Sequence, residues 1–95
     1  DLEMNPETKE FSRDGQKIAL TPREFALMEY LLRNPGRVIS KNEISERVWN
    51  LHFDTGTNVI EVYVNFLRKK IEKGFSQKLI HTQFKNGYIL REEEV

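Results

Sequence analysis

Two helix starts are spelled out in full in this chain, and they restrict its fold more than any other feature. In LTPREF, Thr21 is placed to cap a helix, Pro22 takes the first helical position, and Glu24 can reach back to the cap. In VISKNEI, Ser40 and Glu43 repeat the arrangement. Apolar neighbours bracket each start as staples, Leu20 with Phe25 and Ile39 with Ile44. Asn34-Pro35-Gly36 lies between and must stop the first helix. The first helix then buries Phe25, Met28, Leu31 and Leu32, and the second, shorter one stacks Ile44 under Val48.

A third helix is expected from about Asn58 to Lys73, with Gly74 as its stop. Ile60, Val64, Leu67 and Ile71 form one apolar stripe, with Tyr63 on its edge. At about 100° per residue, Asn58, Val62, Asn65 and Lys69 fall on the opposite side and Phe66 on its shoulder. A surface helix has no folding reason to place Val62 and Phe66 there.

Sheet signals flank the helices. KEFS and KIAL run either side of Asp14-Gly15 in hairpin fashion, and LEM is a further strand. After the third helix, two strand-like runs enclose Lys85-Asn86-Gly87, a strong hairpin signal. The expected order is sheet, helix, helix, loop, helix, hairpin, in a single domain spanning residues 1–95.

Composition removes several function classes. No run approaches the ~18 apolar residues of a membrane span, no basic-then-apolar signal opens the chain, and there is no cysteine for disulfide or thiolate chemistry. This composition fits a reducing cytoplasm, off the membrane. There is no glycine-rich phosphate loop, no H-E-x-x-H and no paired carboxylates at an evident pocket, so neither enzyme activity nor a cofactor or metal is expected. His52 and His81 are isolated.

Net charge is zero, but its distribution is not even: residues 62–91 hold seven bases and one acid, Glu72, whereas the first 61 hold eleven acids and eight bases. Either a solvated basic face or a polyanion site accounts for that asymmetry.

Two helices followed by a helix and a hairpin make an α+β winged helix-turn-helix, with an N-terminal antiparallel sheet, three helices and a C-terminal hairpin wing. A helix fits the DNA major groove and a hairpin reaches the neighbouring backbone or minor groove. Val62 and Phe66 can then meet thymine methyls, and Asn58 and Asn65 can match adenine's edge. Arg68, Lys69, Lys70 and Lys73 can lie over phosphates. Each has a plainer reading: Asn58 with Glu61 is also an N-cap box, Phe66 can tuck under the hairpin, and Trp49 can be a core anchor.

The run LTPREFALMEYLLRNPGRVISKNEISERVWN, then TNVIEVYVNFLRKKIE and GYIL, resembles the C-terminal effector domain of the OmpR/PhoB response-regulator family. The markers are the L-T-x-x-E-F start, the N-P-G-R-V stop, a helix ending in V-W, and V-x-V-x-x-L-R-x-K-I, all in order over nearly the whole chain.

The resemblance implies a transcription factor of two-component signalling with a four-stranded N-terminal sheet and the third helix as reader. It assigns base reading to Asn58, Glu61, Val62, Asn65 and Phe66, and phosphate contacts to Trp49, Tyr63, Arg68 and Lys41. It implies double-stranded DNA as partner, as direct-repeat half-sites, with a second copy alongside. It further implies RNA polymerase at the loop Leu51 to Thr57. A sensor histidine kinase would act only through a receiver domain, which this chain lacks, so it reads as an isolated effector fragment. The wing departs from the family's T-V-R-G-x-G-Y: here TQFKNGY places Phe84 at the arginine position and Lys85 at the first glycine, with Asn86 beside them. Lys85 is expected on phosphate, and Phe84 as core residue or wedge. The competing class is a protein-interaction module using the same exposed face.

Overall fold

The computed structural model describes residues 2–49, 59–75, 77–83 and 87–91. Three strands come first: β1 (Leu2–Asn5), β2 (Glu10–Arg13) and β3 (Gln16–Lys17). Helices α1 (Pro22–Arg33), α2 (Lys41–Val48) and α3 (Val59–Glu72) follow, and β4 (Ile80–Gln83) and β5 (Gly87–Leu90) close the order. The expected winged-helix order is present.

β1, β2 and β3 form an antiparallel meander. Asp14 and Gly15 both have positive φ, 51° and 79°, the two-residue turn that matches strand twist. The sheet has three strands among the described residues, not the family's four, and KIAL pairs only through Lys17, with Ile18 N–H donating to Phe11 O at 2.9 Å. The reason is local: Thr21 and Pro22 begin a helix just beyond, which leaves little room for a longer strand.

α1 starts as expected. Thr21 Oγ1 accepts from Glu24 N–H, and the Glu24 carboxylate accepts from Thr21 N–H at 2.9 Å. Phe25, Met28 and Leu31 are buried, Leu32 is half-buried, and Leu27 joins them in the core, because α1 packs against α2 and α3 and also meets β5. α2 departs in one respect. Ser40 caps it, but the Glu43 carboxylate does not close the box. It accepts from Tyr30 and from Arg37, at 2.6 and 3.1 Å, and so pins the α1–α2 turn.

That turn also carries the wing. Gly36 N–H donates to Leu90 O, and Ile39 and Tyr88 exchange two backbone bonds of 2.8 and 2.9 Å. β5, with β4 paired to it, is therefore seated backbone to backbone on the segment before α2. At the seat, Gly87 has φ +119°, and a Cβ there would lie 1.9 Å from Ile39 O.

The core is shared by all layers: Phe11 from the sheet, Phe25, Met28 and Leu31 from α1, Ile44 from α2, the α3 stripe, and Leu79, Ile80, Tyr88 and Leu90 from the hairpin region. Beyond α3, Gly74 at φ +83° turns the chain. Glu72, the lone acid of the basic half, accepts from the N–H groups of Leu79 and Ile80.

Candidate nucleic-acid interface

The expected core stripe of α3, Ile60, Val64, Leu67 and Ile71, is buried. The rest of the helix divides into three bands. Outward lie Val62, 42% exposed, with Lys69 and Lys73, both exposed. Towards the hairpin lie Glu61, Asn65 and Arg68, lining a cleft of about 330 Å³ with Lys41, Thr82 and Tyr88. Towards the start of α1 lie Tyr63, Phe66 and Lys70, which together with Lys69 line a groove of about 800 Å³ with Pro22, Arg23 and Ala26. Phe66 is 45% exposed, so it is not a core residue under the hairpin.

The aromatic side chains explain how this helix is held. Trp49 and Tyr63 meet edge-to-face at 5.2 Å, and Tyr63 and Phe66 at 5.9 Å. The Arg23 guanidinium lies 5.2 Å from the Trp49 ring centroid and donates to Val48 O at 2.8 Å. Trp49 and Tyr63 are thus half-buried links from the end of α2 to α3. The anchor reading of Trp49 fits this packing, which turns neither ring wholly towards solvent.

The cations fall into two groups. Lys69 and Lys73 stand on the outward face. The others already hold partners. Arg68 donates through Nε to Ile80 O at 3.2 Å and through Nη2 to Thr82 Oγ1 at 2.6 Å, over the Tyr88 ring. Lys70 donates to Glu24 at 2.6 Å, and Lys41 to Glu61. Burial pushes the Glu24 carboxyl up, but its hydrogen bonds to Lys70 and Thr21 outweigh that and hold it below the usual range. Asn58, the loop Leu51 to Thr57, and the wing residues Phe84, Lys85 and Asn86 lie outside the described residues.

Sequence reasoning missed Arg13. It is 2% exposed and donates to Ile71 O at 2.6 Å and Gln77 O at 2.7 Å, with its guanidinium over the Phe75 ring. The signal was there: in EFSR, an inward Phe11 requires an inward Arg13 two positions later. The Lys41–Glu61 and Lys70–Glu24 pairs join residues far apart in the chain, and no local spacing announces them.

A family model described as "Transcriptional regulatory protein, C terminal" matches residues 15–90, nearly the whole of this architecture. The chain belongs to that family. It is 47% identical over 92 residues to the response regulator MprA of Mycobacterium ulcerans, a match covering 97% of this chain and 40% of that protein. The chain thus spans well under half the length of such relatives. Among solved structures, the DNA-binding domain of CpxR from E. coli superposes with TM-score 0.79 at 29% identity, covering 94% of this chain and 88% of that one. The DNA-binding domain of E. coli CadC gives 0.80 at 29%, covering 95% and 85%. The OmpR/PhoB resemblance and the winged-helix fold read from the sequence both stand.

For this family member, the described residues contain no group of three or more His, Asp or Glu placed to hold a metal. No helix among them is long and apolar enough to cross a membrane.

Proposed function

We propose that this domain is the output module of a bacterial response regulator, binding double-stranded DNA in a sequence-specific way to control transcription. α3 lies in the major groove, and the β4–β5 wing lies on the adjacent backbone or minor groove. The observation that carries this reading is the outward band of α3, where Val62 is exposed with Lys69 and Lys73, next to the exposed Asn65 of the hairpin-side band, although the core has no use for it. Val62 meets a thymine methyl and Asn65 an adenine edge, while Lys69 and Lys73 lie over phosphates. Phe66 sits on the α1 side of that contact and touches the groove margin. Lys70, Trp49 and Tyr63 support the helix more than they touch the duplex.

The proposed partners beyond DNA follow the family reading. A second copy binds alongside on direct-repeat half-sites, gaining affinity from proximity. RNA polymerase meets the loop Leu51 to Thr57, and a sensor kinase acts through a receiver domain elsewhere in the regulator. The proposed location is the cytoplasm, and the domain itself performs no catalysis.

The groove of about 800 Å³ beside Phe66 and Tyr63 favours one other reading, a protein partner docked on the same side of α3. Selection from randomised duplex DNA at moderate salt separates the two. Enrichment of a short motif, repeated in one orientation about one helical turn apart, supports the regulator. A pool that binds only at low salt, with no motif enriched, removes sequence-specific recognition and leaves the groove as the site to pursue.

A further inference from the structure

We infer that Lys41 is a positioning residue for base recognition, holding the Glu61 carboxylate where it accepts from the exocyclic amino group of one cytosine. The inference rests on the proposed docking of α3 in the major groove.

Lys41 at the first position of α2 and Glu61 in the first turn of α3 form an ion pair between the two helices. Their side chains are 51% and 41% exposed, and pairs so open to water contribute only about 0–1 kcal/mol to folding. Local helix chemistry also disfavours the lysine, since a cation at the start of a helix opposes its dipole. The pair therefore contributes little to the fold. What it does is select one arrangement of a flexible carboxylate at the mouth of the cleft between α3 and the hairpin, next to Asn65.

That carboxylate is unusual for its place. α3 has two acids, and Glu72 is committed to the N–H groups of Leu79 and Ile80. Glu61 alone among the described α3 acids is left on the reading side. A carboxylate near phosphates is repelled unless a cation stands with it, and Lys41 is that cation. An ionised carboxylate only accepts hydrogen bonds. In the major groove, cytosine offers an amino donor, guanine offers two acceptors and thymine an acceptor beside a methyl. Adenine's amino group lies next to the N7 acceptor, which faces the second carboxylate oxygen unfavourably. Cytosine is the matching base.

The alternative is Lys41 as a phosphate clamp, and the two differ in what substitution does. Duplexes enriched by the wild-type domain serve as probes, with Glu61→Gln, Lys41→Gln and Lys41→Arg compared by binding titration at several salt concentrations. Glu61→Gln should lose preference for cytosine at one position by about tenfold and leave other positions unchanged. Lys41→Gln should relax that same position several-fold, with little change in affinity for unrelated duplexes, and Lys41→Arg should restore it. Uniform weakening by Lys41→Gln, with a salt slope lower by about 0.9 and cytosine preference intact, overturns the inference in favour of the clamp. An unchanged motif with Glu61→Gln overturns it as well, while leaving sequence-specific binding in place. A wild-type domain that enriches no motif sinks the DNA reading itself. Thermal melts of all three variants keep misfolding apart from these outcomes.

Discussion

Arg13 Nη1 donates to the carbonyl oxygen of Ile71 at 2.6 Å, tying the second strand of the sheet to the last turn of the third helix. The guanidinium supplies positive charge at the helix end where unpaired carbonyls accumulate, and it reaches Gln77 O in the turn beyond. Arg13→Ala strips these carbonyls of a charged donor and opens a void against Phe75. The expected cost is about 3 kcal/mol, seen as a fall in Tm of roughly 15 °C by calorimetry. Arg13→Lys should recover only part of it, since an ammonium lacks the planar fork that meets two acceptors.

Gly87 is expected to be intolerant of any side chain. A Cβ would meet Ile39 backbone oxygen at 1.9 Å, and φ +119° is strained for an L residue in any case. Gly87→Ala should unseat the wing from the segment before α2. Amide exchange at Ile39 and Tyr88, which bond each other in the wild type, would report it by accelerating more than exchange within α1. Unchanged protection at both amides would count against a backbone seat.

Neighbouring lysines should behave differently. Lys69→Ala is expected to weaken binding to all duplexes alike and to lower the salt slope by about 0.9, with Tm nearly unchanged. Lys70→Ala leaves Glu24, 3% exposed, without its cation, and should cost about 1–2 kcal/mol of stability with a smaller change in salt slope. Salt titrations and melts on the two variants check both halves. Equal salt slopes would place Lys70 on phosphate after all.

Acid should loosen the α1–α2 turn. The Arg37 guanidinium, with the Tyr30 hydroxyl, holds the Glu43 carboxyl at about 2, against an ordinary value of 4.5. Because the folded-state value is the lower one, its contribution is whole above about pH 4.5 and is lost as pH falls through about 2. Glu43→Gln should therefore be less stable than wild type at pH 7, and the difference should narrow towards pH 2. Thermal melts across that range test the convergence.

The sequence disclosed what local chemistry controls. Thr21, Pro22 and Glu24 gave the start of α1, Asp14-Gly15 the turn between β2 and β3, and the four-residue spacing of Ile60 and Val64 the buried face of α3. It misplaced Glu43, because a capping glutamate competes with any stronger partner the tertiary fold brings near, and Arg37 with Tyr30 are stronger. The candidate site was legible as a face and less so as individual roles. Counting turns exposed Val62, Asn65 and Lys69. It did not reveal that Lys41, Arg68 and Lys70 each already have a partner on another element, since helical periodicity carries no information about what lies across the gap.

Arg68 has one more consequence. With its donors on Ile80 and Thr82, it fixes how far the wing stands from α3, as a screw fixes the jaws of a caliper. On the proposed docking, the duplex adjusts to that gauge and the domain does not. Sequences that bend or narrow easily to the set width are bound more readily than stiff ones, even at base pairs that no side chain reaches.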